Sequence, residues 1–232
     1  MTLSFSGISV EVNKKNVKNM RLYVKPPDGK VMVSAPLSMS NEVIEKFVCS
    51  KTKWIKKQIK KFENQSCQSE REYVSGETFY VWGKKYFLQT DYGSMNSIVL
   101  SSDKAVFTVR KGSTVDQKEK YVREWYRKLL KTEIERIFPK WEKKTALKAE
   151  SWHIKYMTSR WGSCMIKKRK ICLSLQLAKK TPECLEYVIL HELLHFLEKG
   201  HNEHFYNLLD KYMPNWREIR AILKNQALDL SK

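Results

Sequence analysis

His191, Glu192, His195 and His201 are the residues of this chain best placed to do chemistry, and they follow directly on an apolar run, Tyr187, Val188, Ile189 and Leu190. A polar or ionisable group in such a run needs a partner, because burying it alone costs several kcal/mol. A lone His or Glu there would read as a satisfied core group; the set at this spacing fits zinc. On an α-helix each residue advances about 100°, so His191 and His195 lie about 40° apart, one turn of rise from each other, and both imidazoles reach one metal. Glu192 sits on the flank of that face, where its carboxylate can take a proton from a zinc-bound water without ligating the ion. Catalytic zinc keeps three protein ligands and one open position, and His201 is the best third candidate. A straight helix would carry His201 about 9 Å along the axis from His195, against a zinc–nitrogen bond of about 2.0 Å. The helix must therefore end first, and Gly200 is expected to end it in the left-handed conformation. His204 competes with His201. Asn202 is a plausible N-cap, which puts His204 in the first turn of a new helix and leaves it at the surface or behind the ligands. Glu198 and Glu203 rank below both as ligands.

A second constellation, Arg160-Trp161-Gly162-Ser163-Cys164, falls between two expected strands at 151–157 and 170–175. It reads as a turn or edge strand with glycine where a bulky side chain would not fit. An open strand edge beside a metal helix can receive an extended substrate backbone. The competing reading makes Trp161 a core anchor and Arg160 half of a surface ion pair.

Lys and Arg number 44 against 25 Asp and Glu, a net charge of +19. Such a field attracts nucleic acids, nucleotides and acidic proteins, although a generally lysine-rich composition produces it equally well. The five cysteines, Cys49, Cys67, Cys164, Cys172 and Cys184, form no C-x-x-C pair and read as reduced core or near-core thiols. No run of about 18 apolar residues and no secretory N-terminus is present, so a soluble, cytoplasmic protein without membrane contact is expected.

The elements that must position these residues divide the chain. Residues 20–24, the turn at 26–29 and residues 31–36 predict a β-hairpin. A single helix, capped by Ser40 or Asn41, follows through Ile59 with its lysines on the solvated face. After a polar loop at 64–70, short strands are expected at 78–82, 85–88, 97–100 and 105–109. A long amphipathic helix begins near Thr114 and is expected to break near Pro139. Helices from about Pro182, from Glu203 and near 215–223 complete the chain, and no internal repeat is evident. The fold class is α+β: a β-rich N-terminal region with one helix over 1–112, then a mainly helical catalytic domain with a small sheet over 113–232.

With these motifs in place the sequence resembles the YgjP-like metallopeptidase-domain family. The resemblance rests on Arg160 to Cys164, on Tyr187 to His195, and on His201-Asn202-Glu203-His204-Phe205-Tyr206, and it extends to the 21–36 hairpin, Trp54-Ile55 and Tyr80-Val81-Trp82-Gly83. Gly200 stands where the family often has Asn, Asn202 where Ser is common, and Tyr206 where Trp is common. The resemblance implies a zincin-like core with His191, His195 and His201 as metal ligands and Glu192 as the catalytic acid, distantly similar to the SprT and WLM peptidases. It leaves two enzymatic expectations, a zinc-dependent metallopeptidase using a zinc-bound water activated by Glu192, and a metal-dependent nucleoside triphosphate pyrophosphatase. A third is a nucleic-acid-binding protein with a structural zinc closed by His204 or Cys164. For a peptidase, Arg160, Tyr206 and His204 are the candidate donors to the developing oxyanion. The partners expected are a peptide or protein substrate and, from the charge, a nucleotide or nucleic acid.

Overall fold

The computed structural model describes residues 2–5, 7–25, 29–64 and 71–225. The tip of the 20–36 hairpin, most of the 64–70 loop and Cys67 lie outside them. The chain forms two compact units, residues 1–70 and residues 71–229.

In the first unit, β1 (Thr2–Phe5), β2 (Ile8–Lys15), β3 (Arg21–Lys25) and β4 (Lys30–Pro36) form a sheet of order β1-β2-β4-β3. The expected hairpin is β3–β4, with Leu22 opposite Val33, while β4 also pairs in parallel with β2. Ile8, Val10, Val12, Val31, Val33 and Ala35 alternate inward, the period of a half-buried sheet. Two helices, α1 (Asn41–Ser50) and α2 (Thr52–Asn64), bury Ile44, Val48 and Ile55 in the same core. A single helix was expected here. Ser50 and Thr52 hydroxyls instead donate to the carbonyls of Phe47 at 2.7 Å and Cys49 at 2.9 Å, and Lys51 leaves helical geometry with φ −106° and ψ 5°.

The second unit opens on the same strand topology. Strands β5 (Thr78–Val81), β6 (Lys84–Tyr92), β7 (Ser97–Leu100) and β8 (Lys104–Val109) run in the order β5-β6-β8-β7, with β6 and β8 parallel. The two units thus repeat one four-stranded plan that the residue identities did not reveal. Trp82 and Gly83, with φ 48° and 79°, make the two-residue turn between β5 and β6. A Cβ on Gly83 would fall 2.5 Å from Thr181 Cγ2, and the Trp82 and Gly83 amides donate to the carbonyls of Ala178 and Lys179. The turn therefore abuts the residue that caps the metal-motif helix.

Helix α3 (Val115–Thr145) starts at a capping box between Thr114 and Gln117. It runs through Pro139, where a break was expected. Pro139 and Glu135, whose carbonyl loses its donor, are both exposed, so water can satisfy the freed acceptor. Ile137, Phe138 and Trp141 hold the flanking turns in the core.

Strands β9 (Ser151–Lys155), β10 (Gly162–Met165) and β11 (Lys170–Ser174) form a small sheet of order β10-β11-β9, which leaves β10 at an edge. Helices α4 (Pro182–Leu194), α5 (Glu203–Tyr212) and α6 (Trp216–Asn225) complete the unit. Helix α4 is apolar around its circumference, as a central helix must be, and packs on α3, α5, α6, β10 and β11. The β5–β8 sheet shares its core with α3 and α4, so the division expected at 112/113 falls inside this unit. The fold is α+β. Cys172 and Cys184 are buried, Cys164 is half-buried, and Cys49 is exposed, contrary to expectation, because it lies on the outer face of α1. No described helix is long and apolar enough to cross a membrane.

Candidate metal centre

Helix α4 carries His191 and Glu192 and ends at Leu194, with His195 as its C-cap at φ −64° and ψ −12°. Tight-turn bonds from Phe196 N to Leu193 O and from Leu197 N to Leu194 O close the helix. The end comes ahead of Gly200, which does not take a positive φ, so the expected left-handed glycine cap is not used. The chain instead turns through 195–200. Asn202 caps α5 by accepting from Phe205 N at 3.0 Å, and His201 immediately precedes that cap.

The imidazoles of His191, His195 and His201 meet in a near-equilateral triangle, with ring centroids 4.9, 4.8 and 4.9 Å apart. Fully buried Phe205 lies 4.8–5.0 Å from all three rings and forms their common floor. His195 Nδ1 lies 2.9 Å from the Glu198 carbonyl, which puts the proton on Nδ1 and leaves Nε2 free to donate a lone pair. His191 and His201 bring Nε2 atoms to 3.0 Å. Two nitrogens on one tetrahedral zinc, each at about 2.0–2.1 Å, stand about 3.3 Å apart, so this approach fits a shared divalent ion. His191 Nδ1 is buried without a hydrogen-bond partner among the described residues. One ligand atom from each ring lies within 4.8 Å of the others, and among the described residues no fourth His, Cys, Asp or Glu joins them.

Burial, followed by the charges of His195 and His201, pushes His191 down to about 3; burial also lowers His201. Both are thereby held in the neutral form a metal requires. Burial pushes Glu192 up to about 8, against the opposing pull of the Arg160 guanidinium.

Gly162 explains the second motif. A Cβ there would fall 2.6 Å from Glu192 Oε1 and 2.9 Å from Val188 Cγ1, so the bare backbone of β10 is what gives the Glu192 carboxylate its place. The segment leading into β10 is pinned at both ends: Gln176 Nε2 donates to Met157 O at 2.9 Å, and Ser174 N to Trp161 O at 2.8 Å. Trp161 packs against the core under Lys180. Arg160 is exposed and has no ion-pair partner among the described residues, so its charge bears on Glu192. Cys164 does not join the histidines; burial, then Glu192, pushes its thiol up to about 11. His204 turns to Glu198, with Nδ1 3.5 Å from Oε2. Tyr206 stacks on His201 at 6.5 Å and on Trp216 at 5.3 Å.

Neither Phe205 nor Arg220 was given a role at the site from the sequence. Phe205 had a signal, since it stands four residues after His201 and inside the next helix. Arg220 had none, because only the packing of α6 against α4 brings its charge to His191 and His201.

These shifts set a pH dependence for the metal-free protein. Glu192 is raised from 4.5 to about 8, so the folded state holds a proton the unfolded state has lost, and stability falls as pH rises through that window. His191 is lowered from 6.5 to about 3, so stability falls as pH drops through that range. The two slopes oppose each other between 4.5 and 6.5. Urea unfolding of chelator-treated protein is expected to give a stability roughly 2 kcal/mol lower at pH 8 than at pH 6. Glu192→Gln should remove most of that difference; an unchanged difference in the variant assigns it to other groups.

The chain matches the family described as YgjP-like, metallopeptidase domain, over residues 18–226. No curated protein matches it. Among solved structures it is similar to the metallopeptidase zymogen abylysin of Pyrococcus abyssi, at 20% identity and a TM-score of 0.37 over 41% of this chain and 97% of that one. It is also similar to the metallopeptidase zymogen jannalysin of Methanocaldococcus jannaschii, at 28% identity and a TM-score of 0.35 over 38% and 90%.

Proposed function

The chain belongs to the YgjP-like metallopeptidase-domain family, and from that premise we propose that it is a zinc-dependent peptidase with His191, His195 and His201 as ligands and Glu192 as general base. The observation that carries this reading is the convergence of three imidazoles, with no fourth donor among the described residues, on a helix that also carries a buried carboxylate. Zinc held there supplies Lewis acidity, which lowers the pKa of water from 15.7 toward about 7 and polarises a carbonyl. Glu192 takes the proton from the attacking water and returns it to the leaving amine. Its carboxyl prefers the neutral form in the metal-free site, and a dication beside it favours the carboxylate the base needs. The bare backbone of Gly162 leaves that carboxylate its place. Arg160 supplies positive charge where the carbonyl oxygen becomes negative, and the open edge of β10 takes the extended backbone of the substrate.

Zinc-loaded protein is expected to cleave casein or members of a peptide library. A chelator should remove the activity and one equivalent of zinc should restore it. The four nucleoside triphosphates belong in the same assay, because the +19 charge also suits a phosphoanhydride substrate. Chelator-sensitive pyrophosphate release with no peptide cleavage would replace the peptidase reading. A nucleic-acid binder with a closed structural zinc would show neither activity and a steep salt dependence of DNA binding.

A further inference from the structure

The described arginines of the second unit fall into two groups. Arg123, Arg127, Arg136 and Arg217 pair with Glu119, Glu124, Glu133 and Asp210, and Arg110 and Arg169 donate to backbone carbonyls. Arg71 has contacts of its own, and among the described residues Arg160 and Arg220 have neither kind of partner; the charge of Arg160 bears on Glu192 and that of Arg220 on His191 and His201. Arg160 precedes by two residues the glycine that cradles Glu192. Arg220 arrives from α6, with its guanidinium 5.7 Å from the ring of Trp216. Buried Trp216 stacks on Tyr206 at 5.3 Å and on Tyr187 at 6.4 Å. Those two rings lie 6.5 Å from His201 and 5.7 Å from His191. The ladder of rings fixes where an exposed cation sits relative to the ligands, and an aromatic face orients a guanidinium while leaving its N–H edge free. The nearest arginine on the same helix, Arg217, is already paired with Asp210, and Lys224 lies in the last turn, so Arg220 is the unpaired arginine that α6 offers to a ligand.

We infer that Arg220 is a specificity-determining residue that binds a substrate carboxylate next to the scissile bond, so that the preferred substrates are peptides with an acidic side chain or a free C-terminal carboxylate at that position. This rests on the peptidase reading. A planar guanidinium takes a carboxylate with two parallel hydrogen bonds, and Arg160 is left to act at the reacting carbonyl.

The test compares peptides carrying Glu or Asp on either side of the cleaved bond with Gln or Asn counterparts, and free with amidated C-termini, so that the two sources of the carboxylate separate. Wild-type protein should cleave the acidic members of one of these pairs about 10- to 100-fold more efficiently, chiefly through KM. Arg220→Lys should keep most of that preference, and Arg220→Glu should abolish it and favour Lys-bearing peptides, both at wild-type zinc content. Binding of the uncleaved peptides to zinc-loaded Glu192→Gln, followed by calorimetry, should show the same order. Equal rates for every acid and amide pair in the wild-type protein overturn the assignment and leave the peptidase reading standing, as does a preference that survives Arg220→Glu. Absence of both cleavage and peptide binding takes down the two together.

Discussion

Gly162→Ala is expected to lower kcat by about a hundredfold or more while the protein stays folded and keeps its metal. The added methyl would overlap Glu192 Oε1 at 2.6 Å and Cγ at 2.9 Å. Those atoms belong to the end of a side chain that can rotate, so the fold gives way there first. The backbone of β10, paired with β11 from Gly162 to Met165, has less freedom to move. The carboxylate then leaves the position from which it reaches the attacking water, and a displacement of about 1 Å is enough to cost that factor. The ligands do not depend on this contact, because His195 is set by the Glu198 carbonyl and all three rings rest on Phe205. Elemental analysis together with steady-state kinetics checks both halves. A variant with near-normal kcat would show that Gly162 does not place the base, and one that loses its metal would make the glycine a structural part of the ligand set.

Much of the site was legible in the sequence because the part that matters most is local. His191 and His195 share a face through helix geometry alone, and the apolar run before them marks α4 as central. His201 needed the helix to end. The reason given for that end, a left-handed Gly200, was mistaken, since the closure is made by 193–198 backbone bonds and by His195 itself. No glycine or proline marks that turn, so nothing in the local pattern could announce it. The break assigned to Pro139 failed in the opposite sense. Its lost bond faces water, and packing on both sides outweighs a local preference. Two long-range facts were out of reach. The contact of Gly162 with Glu192 joins residues thirty apart, and Arg220 reaches the ligands only after α6 has packed on α4. The repeated four-stranded plan was hidden for another reason: β2 alternates clearly at Ile8, Val10 and Val12, but the two sheets share topology and a turn glycine rather than residue identities.

Glu192→Gln carries the largest expected effect. It preserves the shape of a side chain that is 5% exposed and removes only its capacity to accept a proton. General acid–base catalysis contributes about 10²–10⁴-fold, and kcat should fall by that factor with KM little changed. None of the three ligands is touched, so metal content should stay at one equivalent. The amide also relieves the burial that raises the carboxyl, and the metal-free variant should be at least as stable as the parent at pH 8. The most direct measurement is therefore zinc content and peptide hydrolysis on one preparation of zinc-loaded Glu192→Gln, beside wild type. One bound zinc and hydrolysis reduced by two to four orders of magnitude are expected. Full hydrolysis by the zinc-loaded variant, or loss of zinc along with activity, would contradict the assignment of Glu192 as the base beside a three-histidine metal site.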